Sequence, residues 1–217
     1  MRWRGPGRGA FTLLEVLVAS SLLLLVLALT FGYLVPALRG AARVRVLGQL
    51  QQTSGVVLSK IGLAASTTAP GGFSWSSEPQ GLMALGFNPV DDLQGVNALL
   101  RWTEEFDLFW WDRDESVLRQ RTWPPGPPTP GEGETGIVRA KRLSASRLAE
   151  VVAADAPSLI LARGVTDFSV TQRGGEDGEL VQPITVRLTL VEPGRETSVQ
   201  GAVTLTQQLV FRVESQQ

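Results

Sequence analysis

FTLLEVLVAS, residues 11–20, decides the fold of this chain because it opens an apolar run that contains a single carboxylate, Glu15. From Val16 to Leu38 the sequence has no charged residue. At about 1.5 Å per residue, a helix over this run is long enough to cross a bilayer. A charge inside an apolar run costs several kcal/mol unless it finds a partner, so Glu15 is a functional clue.

The residues before this run have the layout of a targeting signal. The segment MRWRGPGRGA, residues 1–10, is short and contains three arginines. An ordinary secretory signal is cleaved after its apolar core, at a pair of small residues. Here the small residues Gly9 and Ala10 stand immediately before the core. We therefore expect cleavage to leave the apolar run on the mature protein.

Residues 9–19 resemble the signal of type IV pilins and type II secretion pseudopilins, which typically reads Gly and then Phe-Thr-Leu-Ile-Glu-Val-Leu-Val-Ala. The resemblance implies that a prepilin peptidase cleaves between Ala10 and Phe11, and that Phe11 is then N-methylated. This chain departs from the pattern in having Ala10 where Gly is usual. The resemblance also implies a single-pass protein of the bacterial inner membrane, with its C-terminal domain in the periplasm.

The same resemblance implies a partner for Glu15. In a fibre of pilin-like subunits, this carboxylate pairs with the amino terminus of a neighbour, which here would be Phe11. Opposite charges attract strongly at low dielectric and relieve each other's burial, so Glu15 would fix the register of docking. The alternative is a plain signal anchor, in which Glu15 lies near the cytoplasmic interface and reaches the headgroups.

The helix is predicted to continue beyond the membrane run with one apolar stripe. Leu50, Val57 and Ile61 recur at helical spacing, with the small Ser54 between them. The predicted organisation is a prepilin leader over 1–10, a transmembrane and assembly helix over 11–38, an amphipathic continuation over 39–65 and a β-rich domain over 66–217.

Two residues predict a bend in this helix. Pro36 cannot donate a hydrogen bond to the carbonyl of Gly32, which is itself a weak helix former. We therefore expect a bend or loosened turn over 32–36, although a proline that a membrane helix simply tolerates is an equal alternative. The breaker-rich segment 66–72 predicts that the helix ends near Ala65.

After that break the apolar period changes to two, which predicts strands. A hairpin is expected over 106–123 and a short helix over 144–154 capped by Ser144 or Ser146, and further strands are expected over 82–87, 96–102, 184–190 and 203–213. A long N-terminal helix followed by mostly antiparallel strands is an α+β fold, as in pilins. Residues 161–170, the strand that starts at Pro183 and the ending around Phe211 also resemble J-type minor pseudopilins and W-type minor pilins. That resemblance implies a low-copy subunit near the tip of the fibre.

Composition excludes several classes of chemistry. The chain has no Cys and no His, so it has no Ser-His-Asp or Cys-His nucleophile pair, no His- or Cys-ligated zinc site and no disulfide. We find no catalytic constellation and expect no enzyme activity and no cofactor.

Three of the 20 basic residues precede Phe11, so the processed chain would carry 17 basic and 21 acidic residues. This balance gives no general attraction to nucleic acid.

Three groups in the predicted hairpin are candidate contact or metal sites. Trp110 and Trp111 point to opposite faces of a strand, so one is expected in the core and the other is a possible partner contact. Asp112, Asp114 and Glu115 have oxygen ligands suited to calcium, but a solvated turn is favoured because no Gly occupies the sixth place of a calcium loop. Arg119 and Arg121 share a strand face and could touch phosphates, although ordinary surface arginines are the simpler interpretation.

The sequence therefore predicts a minor pilin-like subunit that primes or caps a type IV pilus or a type II secretion pseudopilus. Its expected partners are the prepilin peptidase, other minor and major pilin or pseudopilin subunits, and the inner membrane. The first alternative is a membrane-anchored periplasmic module that binds a sugar, a surface or DNA and has an inert anchor. The second is an anchored hydrolase that uses carboxylates alone.

Overall fold

The computed structural model describes residues 12–77, 82–92, 101–103, 105–123, 142–172, 182–192 and 202–213. It has two helices, α1 (Leu13–Ser66) and α2 (Ala145–Ala153). Its strands are β1 (Thr68–Ser77), β2 (Met83–Asp92), β3 (Arg101–Trp102), β4 (Phe106–Asp112), β5 (Val117–Trp123), β6 (Leu159–Arg163), β7 (Val165–Gln172), β8 (Ile184–Val191) and β9 (Thr204–Phe211). The predicted α+β fold, with a long apolar helix and antiparallel strands, is confirmed.

The chain divides into two compact units, Met1–Arg45 and Val46–Gln217. In the first unit, α1 has an 18-residue window with a mean hydropathy of 2.5, and no residue of that window is buried. The exposed side chains include large ones, such as Leu17 and Phe31. An exposed apolar surface of this size is unfavourable in water and marks a membrane or protein interaction surface. Among the described residues, one helix, α1, has the length and apolar composition needed to cross a membrane once.

In the second unit, the later part of α1 is a core element of the domain. The predicted stripe is confirmed, since Leu50, Ser54, Val57 and Ile61 are all buried. Ser54 Oγ donates to Oε1 of Gln207 on β9 at 2.6 Å, which ties the stripe to the end of the described chain. The stripe therefore belongs to the domain and not to a separate stalk.

The strands form two antiparallel sheets. The larger sheet has the order β1-β2-β4-β5-β6, with the short β3 paired to the end of β2, and the smaller sheet has the order β7-β8-β9. Apolar side chains from both sheets and from α1 share one core cluster, which includes Phe87, Phe109, Phe168 and Leu188. The helix is thus held by side chains from two sheets.

A second, smaller core lies on the other face of the larger sheet. Phe106, Leu108 and Trp110 of β4 pack there against Leu148 and Val151 of α2. The alternate residues of β4 face the main core, where Phe109 is buried. Because β4 is covered on both faces, its sequence FDLFWWD lacks the clean alternation of a half-exposed strand.

The sequence correctly predicted several elements. β4 and β5 pair antiparallel from Phe106 with Trp123 to Asp112 with Val117, which is the predicted hairpin. α2 has Ser144 as its N-cap, because the Ser144 side chain accepts from the backbone N of Arg147. Of the expected strand over 96–102, only its end lies within the described residues.

The predicted end of the long helix near Ala65 is confirmed, since α1 ends at Ser66. The breaker-rich segment is not a loop, however, because only Thr67 separates α1 from β1. The Pro-Gly-Gly sequence instead lies inside β1, where the register with β2 shifts between Thr68 and Phe73. Gly72 is required there, because a Cβ would lie 2.7 Å from the carbonyl oxygen of Asn88 and would clash with the ring of Trp102. This glycine permits a close approach of two strands and does not end a strand.

Candidate functional site

The first candidate site is the beginning of α1, where Thr12 and Glu15 bond to each other. The Thr12 backbone N and Oγ1 donate to Glu15 Oε2, at 3.0 and 3.1 Å. In return, the Glu15 backbone N donates to Thr12 Oγ1 at 3.3 Å. This is a capping box, in which a Thr before the first turn and a Glu three residues later satisfy each other's backbone amides. The sequence T-x-x-E at 12–15 could have predicted it.

The capping box uses one oxygen of Glu15. Both bonds from Thr12 end on Oε2, and Oε1 accepts no hydrogen bond from any residue that the structure describes. One carboxylate oxygen therefore fixes the helix start while the other can still accept from a further donor. Ala10 and Phe11, the predicted processing residues, lie outside the described residues.

The predicted bend residues lie within an uninterrupted helix. α1 runs through Gly32 and Pro36. A methyl group added at Gly32 would meet nothing within 4 Å, so the described residues give this glycine no packing role. The bend remains a prediction.

The two adjacent tryptophans have different environments. Trp110 is 5% exposed and packs in the smaller core, so its ring is not available as a partner contact. Trp111 is partly buried against the main core, and the guanidinium of Arg113 lies 4.9 Å from its ring centroid. Its indole Nε1 is buried without a hydrogen-bond partner among the described residues. Trp111 thus remains the candidate contact.

Arg119 pairs with two of the three carboxylates in the acidic turn of the hairpin. Asp112 Oδ2 accepts from Arg119 Nε at 3.2 Å, and Glu115 pairs with Arg119 Nη2. Asp112 Oδ1 accepts from the backbone N of Glu115 at 3.2 Å, while Asp114 is exposed. Within the described part of the chain, no group of three acidic residues is placed to hold a metal ion. A cation at this turn would have to displace Arg119.

Arg121 is buried, which corrects both interpretations offered for it, an ordinary surface arginine and a phosphate contact. It is 7% exposed and donates to the carbonyl oxygens of Val151, Ala154, Ala156 and Pro157. These carbonyls lie at and just beyond the C-terminal end of α2. Since Arg119 is likewise bonded to the acidic turn and to Ser158, neither guanidinium is free for a phosphate.

A groove of about 730 Å³ lies between α1 and β6 in the second unit. Its walls combine apolar and polar side chains, and its charged members are Arg163 and Glu192. The remaining lining residues are Val46, Gln49, Leu50, Thr53, Ile160, Leu161 and Ala162. The sequence did not predict this groove, because it depends on the distance between a helix and a strand that are about 100 residues apart.

The long apolar helix packed on antiparallel sheets is compatible with a pilin-like fold. The N-terminal motif and this architecture are therefore the two observations that bear on the class of the protein. Comparison of the chain with protein-family models, with curated proteins and with solved structures finds no significant match.

Proposed function

We propose that this chain is a minor pilin-like subunit, a pseudopilin, that primes or caps the assembly of a type IV pilus or a type II secretion pseudopilus. It is inserted in the bacterial inner membrane with its β-rich domain in the periplasm. A prepilin peptidase removes residues 1–10, and the new amino terminus at Phe11 is methylated. Other minor and major pilin or pseudopilin subunits are its partners.

The observation that carries this proposal is the position of the only carboxylate of α1. Glu15 lies in the first turn of a helix whose next 23 residues, Val16 to Leu38, are uncharged and exposed. An inert anchor has no need of a carboxylate at this position, since removing it would ease insertion. A subunit that docks through its helix needs a charged group that fixes its register against the neighbouring helix. Oε1 of Glu15 can accept a hydrogen bond from the ammonium group of a neighbour.

The architecture of the domain also supports the proposal. The stripe from Leu50 to Ile61 is part of the main core, so α1 continues from an apolar segment into a folded domain without a linker. A helix built in this way can be covered by neighbouring helices over its first half while its second half holds the domain. The first half then exchanges lipid for neighbouring subunits on assembly.

The test is the N-terminal residue and the mass of the protein recovered from membranes of cells with and without prepilin peptidase. We expect a peptidase-dependent start at methylated Phe11. Restoring the usual residue with Ala10→Gly serves as the matched control and should be processed at least as completely. An intact Met1 in both strains, or a cleavage beyond Leu38, would overturn the proposal.

The groove between α1 and β6 favours one alternative, a membrane-anchored binding module. In that case the anchor is inert, and Glu15→Leu leaves function intact. Trp110 is buried and cannot contact a ligand directly, so ligand binding would instead depend on groove residues such as Arg163. Unchanged membrane levels and ligand binding of Glu15→Leu, together with absence of the unsubstituted protein from isolated fibres, would favour this alternative.

A further inference from the structure

Three arginines, Arg39, Arg43 and Arg45, follow the apolar run of α1 at once. All three are exposed. Glu15 is the only carboxylate in α1, and no described carboxylate forms a salt bridge with any of the three. This end of the run therefore presents a concentrated positive charge that no described residue neutralises.

Arg39 and Arg43 form a pair, and Arg45 does not belong to it. Residues four apart in a helix lie on one face with their Cβ atoms about 5–6 Å apart, so the two guanidinium groups can reach the same anion. At 100° per residue, Arg45 points roughly 120° or more away from both. Between the paired arginines lie Gly40 and two alanines, and a methyl group added at Gly40 would meet nothing within 4 Å. The space around the pair is open to a bulky group.

The depth of the pair along the helix matches a lipid headgroup. The uncharged run from Val16 to Leu38 is roughly 34 Å long as a helix, slightly more than the roughly 30 Å hydrocarbon core of a bilayer. Tyr33, the only tyrosine of the chain, is 79% exposed and lies about 9 Å before Arg39 along the axis. Tyrosine is enriched at the membrane-water interface. With Tyr33 at that interface, Arg39 and Arg43 lie further along the helix, at the level of the lipid phosphates.

We propose that Arg39 and Arg43 together bind the phosphate of an anionic phospholipid headgroup. Guanidinium groups form bidentate, charge-assisted hydrogen bonds with phosphate oxygens, and these bonds are stronger in the partly dehydrated headgroup layer than in water. The bound lipid fixes the depth of α1 before assembly. This inference rests on the proposed membrane-held subunit and adds the class of lipid that the subunit binds.

The experiment uses the full chain reconstituted in phosphatidylcholine vesicles that contain spin-labelled lipid. The motionally restricted fraction of labelled phosphatidylglycerol, compared with that of labelled phosphatidylcholine, gives the relative association constant. We expect a several-fold preference for phosphatidylglycerol in the unsubstituted protein. Arg39→Gln and Arg43→Gln should each bring the relative association constant of phosphatidylglycerol over phosphatidylcholine close to one. The matched control Arg45→Gln removes the same charge and should keep most of the preference.

Three results would overturn the inference. One is an unsubstituted protein without any preference for phosphatidylglycerol. Another is an equal loss in all three single variants, which would indicate a diffuse electrostatic field and not a paired site. The third is displacement of the labelled lipid by added inorganic phosphate, because the ligand would then be the free ion. Retention of the preference at millimolar phosphate supports the lipid.

This experiment is independent of fibre assembly. It needs neither the prepilin peptidase nor any partner subunit, and resistance to carbonate extraction of the same vesicles reports insertion separately. An inserted protein without lipid preference therefore contradicts only this inference. A failure of processing in cells contradicts only the proposed function. The three arginines are exposed, so we expect the variants to keep the circular dichroism of the unsubstituted protein. This measurement checks that the domain is folded.

Discussion

Nη1 of Arg121 lies 2.8 Å from the carbonyl oxygen of Val151 and 3.1 Å from that of Ala154, so a side chain of β5 closes the C-terminal end of α2. The last turn of α2 has no basic residue of its own, although the end of a helix carries partial negative charge and unpaired carbonyls. The guanidinium also lies over the rings of Trp110 and Trp123, at 5.2 and 5.8 Å from their centroids. Arg121 thus holds a helix, a strand and two aromatic side chains together.

Replacing Arg121 should destabilise the domain strongly. We expect Arg121→Ala to lower the free energy of unfolding by about 3 kcal/mol, because one buried and three partly buried carbonyl oxygens lose their donor. Arg121→Lys should cost about half as much, since an ammonium group cannot reach separate carbonyls as a planar guanidinium does. Denaturant unfolding of the full chain in detergent, followed by tryptophan fluorescence, measures both.

The control for Arg121 is Arg147→Ala in α2. Arg147 pairs with Glu150 on the surface, where the two side chains are 51% and 61% exposed. Such a pair contributes at most about 1 kcal/mol. Similar losses for Arg121→Ala and Arg147→Ala would show that Arg121 does not hold α2 in place.

The charge of Glu15 can be separated from its role in the capping box. Glu15→Gln keeps an oxygen that accepts from Thr12, but the neutral amide cannot pair with an ammonium group. We expect normal membrane levels and about a tenfold or greater loss of the protein from isolated fibres. Immunoblots of sheared fibres and of membranes measure the two quantities.

The matched variant for Glu15→Gln is Thr12→Val, which removes the hydroxyl and leaves the carboxylate. This variant loses the hydrogen bonds of the Thr12 hydroxyl in the capping box, and it should still enter fibres at nearly the normal level. If Thr12→Val and Glu15→Gln are equally defective, the helix start matters and the charge does not.

Two glycines should respond in opposite directions to alanine. Gly72→Ala should destabilise the domain by about 2 kcal/mol or more, because the new methyl group meets the Asn88 carbonyl and the Trp102 ring. Gly55→Ala, in the helical part of the domain, meets nothing within 4 Å and should stabilise it by up to about 1 kcal/mol. The same unfolding assay compares them, and a tolerated Gly72→Ala would contradict the close approach of β1 and β2.

Calcium should not stabilise the unsubstituted protein. Asp112 and Glu115 are paired with Arg119, so a calcium ion would have to break both pairs. We expect no rise in Tm at millimolar calcium relative to magnesium. A rise of several degrees in calcium alone would show binding to the folded state and would contradict the pairing of Asp112 and Glu115 with Arg119.

The fold was predictable where one local signal dominated. The run after Glu15 follows from its hydropathy and the stripe from Leu50 to Ile61 follows from helical periodicity. The hairpin at β4 and β5 follows from two strand-like runs on either side of a charged turn. β1 was missed because Pro70 and two glycines lie within it, and these residues disfavour a strand. The strand forms through pairing with β2, which is a tertiary effect. The role of Arg121 was missed for a similar reason. The pattern of a strand tells which residues share a face, but not which helix end lies above that face.

The hydrogen bond between Ser54 and Gln207 has a consequence for how the chain folds during synthesis. The two residues are 153 positions apart, so the ribosome completes α1 long before it reaches β9. Until then the buried stripe of α1 lacks the side chains of Leu205, Leu209 and Phe211, which pack against the same core. Such long-range closure is slow, and the incomplete chain exposes apolar surface while it waits. Chaperones that recognise exposed apolar helices therefore have a time window in which to hold the nascent protein, and the arrival of β9 ends it.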